Sequence, residues 1–256
     1  MRTFKLTLAY DGTAYAGWQL QPGKPTIQAA LETALHKVTG ETIRAAASGR
    51  TDAGVHALGQ VVSFHSSTAL SCETLCNALN AELPRDIAAL AVRPAADGFH
   101  ARRDCIRKRY RYLIHDGPVA DVFRRRVAWQ YRQPLDAGRM SRAAQAFVGT
   151  HDFRSFESRW PQRSSSVRTI YEATVERGRG ERTHLLACEF SGNGFLYNMV
   201  RAMVGTLVEV GRGVRPEGWP AEVIAAGARS AAGMTAPAHG LFLVRVDYPS
   251  AEGPTE

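Results

Sequence analysis

The order of hydrophobic periods along the first half is the feature that most constrains the fold of this chain. TFKLTLAY has apolar side chains at every second residue, which predicts a half-buried strand. PTIQAALETALHKVTG has them at helical spacing, between Pro25 and Gly40. Two strands, a helix capped by Ser71 and a last strand are predicted in TIRAAAS, QVVSF, CETLCNALNAEL and DIAALAV. The predicted order is β-α-β-β-α-β, the split βαβ or ferredoxin-like unit.

The second half is predicted to repeat this order with longer connections. Strands are expected in KRYRYLI, SSVRTIYEATVER, THLLACEFSG and GLFLVRVDY, and helices in GRMSRAAQAFVG and GFLYNMVRAMVGTLVEVG. We therefore expect an α+β protein with two ferredoxin-like domains, residues 1–104 and 105–256, whose antiparallel sheets flank a central cleft. The tail PSAEGPTE is expected to be disordered.

The formal net charge of +8 favours a polyanionic partner, nucleic acid above all, because phosphate binding releases condensed counterions. A basic protein without such a partner is the simpler alternative. The four cysteines are too scattered for a disulfide framework, so we expect reduced thiols and a cytoplasmic location. No segment approaches the ~18 apolar residues of a membrane span, so no membrane association is expected.

Asp52 is the first candidate for chemistry, within SGRTDAGVHALGQ. Gly49 and Gly54 on either side predict a tight turn directly before the strand VVSF, with Arg50 two residues ahead of the acid. A carboxylate held still and partly shielded from water can act as a nucleophile or a general base. An ordinary turn with no catalytic role remains the alternative.

Two further segments contain residues with unusual surroundings. In RKRYRY, Tyr110 and Tyr112 share one face of a predicted strand, where a tyrosine is either core or a platform for an extruded base. Arg201 lies among apolar neighbours in FLYNMVRAMVG. Its guanidinium must either reach solvent along its stem or pair with an acid, and Asp52 is a candidate partner.

The sequence lacks the motifs of several other chemistries. It has no nucleotide-phosphate loop, no zinc-protease or zinc-deaminase signature and no serine-hydrolase elbow. Neither a metal nor a cofactor is therefore expected. Arginine and aromatic residues are instead mixed in four tracts, which favour a track for a phosphate backbone: ARRDCIRKRYR, FRRRVAWQYR, FRSFESRWPQRSSSVR and ERGRGER.

Six ordered blocks resemble the bacterial tRNA pseudouridine synthase A family. They span residues 9–248 and read YDGTAYAGWQLQP, GRTDAGVHALGQVVSF, RKRYRY, GTHDFRSF, GNGFLYNMVRAMVG and APAHGLFLVRVDY. The resemblance implies a cofactor-free isomerase that converts uridine to pseudouridine in the anticodon stem-loop of tRNA, at tRNA positions 38, 39 and 40. It also implies two ferredoxin-like domains around a cleft and a homodimer.

The same resemblance assigns roles to individual residues. Asp52 would be the catalytic nucleophile, Tyr110 would contact the target uracil and Arg201 would pair with Asp52. Leu243 is a plausible wall of the uracil pocket, with Leu241 as the alternative. Arg50 could fill the space that a flipped nucleotide leaves, or hold a phosphate.

Three alternative functions remain open at this point. The chain could be a non-catalytic RNA-binding protein, in which Asp52 is only a turn residue. It could be a pseudouridine synthase that acts on another RNA. It could also be a small-molecule enzyme with a ferredoxin-like cleft, which would show no salt-sensitive binding of RNA.

Overall fold

The computed structural model describes residues 1–158 and 165–249, and these residues form two compact units. The first unit contains Met1–Arg107 and residues 243–249, and the second contains Lys108–Phe242. Ten strands and five α-helices lie in the described part of the chain, so the predicted α+β class is confirmed.

The first unit follows the predicted order of elements. Its elements are β1 (Arg2–Tyr10), α1 (Ile27–Thr39), β2 (Ala46–Ala47), β3 (His56–Ser66), α2 (Cys72–Glu82) and β4 (Ile87–Pro94). Strand β1 pairs antiparallel with both β3 and β4, and the short β2 pairs with β3. The strand predicted in TIRAAAS is therefore reduced to two residues.

Local signals fix the elements of this unit. The apolar face of β1 is buried as its alternation predicts, at Phe4, Leu6, Leu8 and Tyr10. Helix α1 begins where the Thr26 hydroxyl accepts a hydrogen bond from the Ala29 N–H, and it ends at Gly40 with a φ of 73°. Ser71 caps α2 through the Thr74 N–H, as expected.

The second unit departs further from the predicted order. Its elements are β5 (Arg107–His115), β6 (Trp129–Gln130), α3 (Ala137–Ala144), β7 (Gly149–Asp152), β8 (Val167–Arg177), β9 (Leu185–Gly192), α4 (Met199–Gly211) and α5 (Trp219–Ala226). The sheet order is β5-β9-β8-β7, and β6 pairs parallel with β5. The β8–β9 hairpin was predicted, whereas β6, β7 and α5 were not.

Two helices of this unit are shorter than their apolar periodicity predicts. Helix α3 gives way after Ala144 to a 3₁₀ turn at Gln145–Phe147. Helix α4 begins only at Met199, because Asn198 has a left-handed backbone with a φ of 62°. Nearly all of α4 is buried, which explains its apolar composition.

The predicted assignment of all residues after 104 to one C-terminal domain is wrong for the end of the chain. The last strand, β10 (Leu241–Asp247), lies beside β3, and residues from Leu243 onward belong to the first unit. The Tyr248 hydroxyl donates to the Ala101 carbonyl, and the Ile106 N–H donates to the Asp247 carbonyl. These bonds attach the returning chain to the first unit. The tail predicted to be disordered lies, from residue 250, outside the described residues.

Among the described residues, no helix combines the length and the apolar character that crossing a bilayer requires.

Candidate active site

Asp52 lies in the connection between β2 and β3, in the first unit. The residue is half-buried, and the Val55 N–H donates to its carbonyl oxygen at 3.1 Å, which closes a turn. Gly54 within this turn has a φ of 77°, a conformation that side chains disfavour. The tight turn predicted from the glycines is therefore present, and the acid is only partly exposed to water.

A buried polar network lies beside the residues that lead into Asp52. The Gln60 side chain, on β3, donates to the Gly49 carbonyl at 2.8 Å and accepts from the Ser48 hydroxyl at 2.6 Å. The Tyr10 hydroxyl, at the end of β1, lies 2.9 Å from the Thr51 hydroxyl. The side chains of Gln60, Ser48, Tyr10 and Thr51 are all buried. The loop is thus attached to two central strands of its sheet.

The loop after β1 packs against the Asp52 loop from another direction. Gly17 has a φ of 94°, and a Cβ there would lie 2.6 Å from the Thr51 carbonyl oxygen. That oxygen also accepts a hydrogen bond from the Trp18 N–H, and the Gly54 N–H donates to the Tyr15 carbonyl. The sequence did not predict this contact, although the glycine in YAGWQ marks the close approach.

His56 follows the Asp52 loop and connects it to the same neighbouring loop. Its Nδ1 accepts a hydrogen bond from the Gly12 N–H at 3.1 Å, and the Asp11 carboxylate lies at the same distance. The ring is buried. In the described residues, no group of three or more histidine, cysteine or acidic side chains has the arrangement to hold a metal ion.

Tyr110 lies on β5 in the second unit, on the face that packs against the helices. It pairs with Phe190 of β9, and its ring contacts the Phe195 ring edge-on at 4.9 Å between centroids. It is 8% exposed. Its neighbour Tyr112 is fully buried and donates to the Pro237 carbonyl, and burial raises the pKa of the Tyr112 hydroxyl. Tyr112 is therefore the core residue, which leaves Tyr110 as the candidate for contact with a base.

The opposite face of β5 is neutralised by acids on β9 and on the next strand, β8. Arg109 pairs with Glu172 of β8 at 2.8 Å, and Arg111 pairs with Glu189 of β9 at 2.7 Å. Cross-strand pairs of this kind stabilise a sheet. The guanidinium groups of these two arginines are therefore occupied by carboxylates, although both side chains remain partly exposed.

Arg201 lies in the first turn of α4, in the second unit, and is half-buried. Its Nε donates to the Ala236 carbonyl and its Nη1 donates to the Asn198 side chain, each at 2.7 Å. These two bonds fix the plane of the guanidinium group. Asn198 is itself held by the Ser158 hydroxyl. Arg201 is thus oriented by its own unit instead of extending freely toward solvent.

The remaining candidates differ in exposure. Leu243 and Leu241 are both buried, so exposure does not distinguish between them as pocket residues. Arg50 is exposed, two residues before Asp52. Asp52, Arg50 and Leu243 belong to the first unit, whereas Tyr110, Arg201 and Leu241 belong to the second.

The basic tracts contain both exposed arginines and arginines that are paired with acids. Arg125, Arg126, Arg179 and Arg182 are exposed, and Phe123 beside the first two is 90% exposed. Arg124 is instead paired with Asp121, and Arg177 with the buried Asp116. Part of the tract FRSFESRWPQRSSSVR, residues 159–164, lies outside the described residues.

Comparison with known proteins identifies the family. A family model described as tRNA pseudouridine synthase matches residues 7–103 and 143–249. The tRNA pseudouridine synthase A of Moorella thermoacetica is 49% identical over 251 residues, which cover 97% of this chain and 100% of that protein. The corresponding protein of Brevibacillus brevis is 47% identical over 97% of this chain and 100% of its own length. That of Limosilactobacillus fermentum is 45% identical, with coverages of 98% and 97%. The chain belongs to the tRNA pseudouridine synthase family.

Proposed function

We propose that this protein isomerises uridine to pseudouridine in the anticodon stem-loop of tRNA, at positions 38, 39 and 40, with Asp52 as the nucleophile. Membership of the family makes the chain an enzyme that forms pseudouridine in tRNA. The observation that carries the assignment to Asp52 is its place in a rigid, glycine-containing turn attached to buried polar side chains.

The reaction explains why a single fixed carboxylate is needed. The bond between uracil N1 and the ribose C1′ breaks, and a bond between C5 and C1′ forms. The proton on C5 is lost and N1 gains one, so no water, metal or redox partner is consumed. A nucleophile must hold the ribose or the uracil ring between these two steps, and an ionised carboxylate can do so.

The other predicted site residues have complementary roles in this proposal. Tyr110, in its aromatic setting beside Phe195, contacts the uracil while it is detached from the ribose. Arg201, whose guanidinium plane is fixed by Ala236 and Asn198, pairs with the Asp52 carboxylate and keeps it ionised. Leu243 contributes to the wall of the pocket, and Arg50 occupies the gap in the RNA stack or binds a phosphate.

We also propose that each unit is a ferredoxin-like domain and that the two sheets flank the cleft that receives the tRNA. The β4-β1-β3-β2 arrangement with two helices in the first unit supports this proposal. In the second unit, β5, β8 and β9 with α3 and α4 supply five of the six expected elements. The homodimer and the cytoplasmic location remain predictions, and sedimentation would test the first.

Replacement of Asp52 by asparagine tests the proposal. The Asp52→Asn variant keeps the size of the side chain but loses the nucleophilic charge, so we expect tRNA binding within about threefold of wild type and no pseudouridine. Chemical mapping of pseudouridine on unmodified tRNA measures the product by position. Asp97→Asn, at an exposed acid of the same unit, is the matched control and should react normally.

The outcomes distinguish the candidate functions. Normal turnover by Asp52→Asn would refute the assignment of the nucleophile. Product at other tRNA positions, or only in another RNA, would refute the assigned target but keep the chemistry. Binding of tRNA by the wild type without any product would leave a non-catalytic RNA-binding protein.

A further inference from the structure

We infer that the hydrogen-bonded side chains of Gln60, Tyr10 and Thr51 position Asp52 for the reaction, so that these three are positioning residues. The inference rests on the proposed role of Asp52 as nucleophile. None of the three side chains needs to touch the substrate. They act through the five residues from Ser48 to Asp52.

Gln60 is the fixed end of this network. Its side chain is fully buried on β3. Its Oε1 accepts from the Ser48 hydroxyl at 2.6 Å, and its Nε2 donates to the Gly49 carbonyl at 2.8 Å. Because a carbonyl can only accept, the amide must present its nitrogen to Gly49, which fixes the orientation of the side chain.

Tyr10 extends the network to the residue next to Asp52. The Gln60 Nε2 also donates to the Tyr10 hydroxyl oxygen at 3.4 Å, and the Tyr10 and Thr51 hydroxyl groups share a hydrogen bond of 2.9 Å. Burial raises the pKa of Tyr10 to about 12, although its bonds with Thr51 and Gln60 act in the opposite direction. The hydroxyl therefore remains a donor at neutral pH.

Together these contacts fix the segment that leads into Asp52. Ser48, Gly49 and Thr51 are bonded to the network, and the Thr51 carbonyl also accepts from the Trp18 N–H. A displacement of about 1 Å at a reacting group can reduce the rate roughly 100-fold. The network restricts such displacement at the backbone of the nucleophile.

The composition of the network favours positioning over stability as its role. Burying hydroxyl and amide groups costs free energy, and hydrogen bonds only offset that cost. Apolar side chains at the same β1 and β3 positions would fill the core without this desolvation cost. The polar groups cluster at the end of the sheet that carries Asp52, where Gln60 and Tyr10 both reach the loop.

Two substitutions that preserve shape test this inference. Tyr10→Phe removes one hydroxyl, and Thr51→Val replaces the hydroxyl by a methyl group. We expect each to lower kcat about 10- to 100-fold, while KM and the Kd for tRNA stay within about threefold. Thr51→Ser keeps the oxygen and should recover most of the lost rate.

Asn80→Leu is the control for a general loss of stability. The Asn80 side chain makes two bonds of 2.8 Å with the Ala89 backbone, between α2 and β4, and does not belong to the network. We expect its melting temperature to fall, with kcat unchanged per folded molecule.

The activities of these variants distinguish this inference from the proposal on which it rests. Network variants that lose no more kcat than Asn80→Leu, while Asp52→Asn is inactive, would overturn the positioning role alone. Failure of Thr51→Ser to recover the rate would also overturn it. Full activity of Asp52→Asn measured in parallel would instead remove the proposed nucleophile, and the inference with it.

Discussion

Tyr110 and Tyr112 show how two identical residues on one strand face acquire different roles. Tyr112 is fully buried and its hydroxyl is committed to the Pro237 carbonyl. Tyr110 retains 8% exposure and packs against the edge of Phe195. A ring held by a neighbouring aromatic can receive a base with little loss of side-chain entropy. The proposed contact with uracil therefore falls on Tyr110.

At this scale we predict a rate defect for Tyr110→Phe. The variant keeps the ring but lacks the hydroxyl, so kcat should fall by about 100-fold or more, with much less effect on the Kd for tRNA. Single-turnover kinetics and filter binding measure the two quantities. Tyr112→Phe should instead lose only about 1 kcal/mol of unfolding free energy. Equal losses of rate and affinity at Tyr110 would contradict a role for its hydroxyl in the reaction.

The elements of the second unit are joined at one corner by a buried ion pair. Asp116, directly after β5, is 1% exposed and accepts two hydrogen bonds from Arg177, at the end of β8. It also accepts from the Leu135 N–H, just ahead of α3. Burial alone would raise the pKa of the Asp116 carboxyl, but the bonds and charge of Arg177 outweigh it and the pKa lies below its ordinary value.

Loss of this pair should destabilise the second unit. We expect Asp116→Asn to cost about 3 kcal/mol of unfolding free energy, since a partly buried guanidinium loses its counter-charge. That figure is at the lower end for such pairs because the Arg177 side chain is 30% exposed. Denaturant unfolding at pH 7 measures the loss. Glu181→Gln, at an exposed acid, should change stability little, and a similar loss in both variants would contradict the prediction.

The same pair predicts how stability depends on pH. A carboxyl whose pKa is lower in the folded than in the unfolded state stabilises the fold above its unfolded pKa of about 3.9. That contribution is lost as the pH falls through the lower folded value. The stability difference between wild type and Asp116→Asn should therefore be constant near neutrality and shrink below about pH 4. A difference that persists unchanged at pH 2 would exclude this origin.

The charge of the whole molecule is distributed less simply than its composition indicates. The net charge of +8 favours tRNA, yet Arg109, Arg111 and Arg177 are engaged by carboxylates. The exposed Arg179 and Arg182, in the tract ERGRGER, are the better candidates for phosphate contact. Affinity for RNA should therefore depend on particular exposed guanidinium groups more than on total charge.

A pair of double variants with equal net charge tests this distribution. Arg179→Ala with Arg182→Ala should raise the Kd for tRNA and reduce the slope of log Kd against log salt by about 1–2. Arg142→Ala with Arg212→Ala removes the same charge from arginines paired with Glu217 and Glu209, so that slope should stay as in wild type. Equal slopes in the two double variants would contradict selective contact.

Features that depend on neighbours within a few residues could be predicted from the sequence. The face of β1, the end of α1 at Gly40, the cap at Ser71, the β8–β9 hairpin and the turn at Gly54 all rest on local periodicity or local backbone preference. The candidate Asp52 was found in the same way, because glycines mark the turn that holds it.

Features that depend on residues far apart in the chain were decided only by the tertiary structure. The pairing of Arg109 with Glu172, the close approach of Gly17 to Thr51 and the return of β10 to the first unit each join distant segments. No local preference encodes which distant strand or loop will be the neighbour. The sequence by itself therefore determined most of the elements and the acid, whereas packing between distant segments decided which arginines are paired with acids and what holds that acid in place.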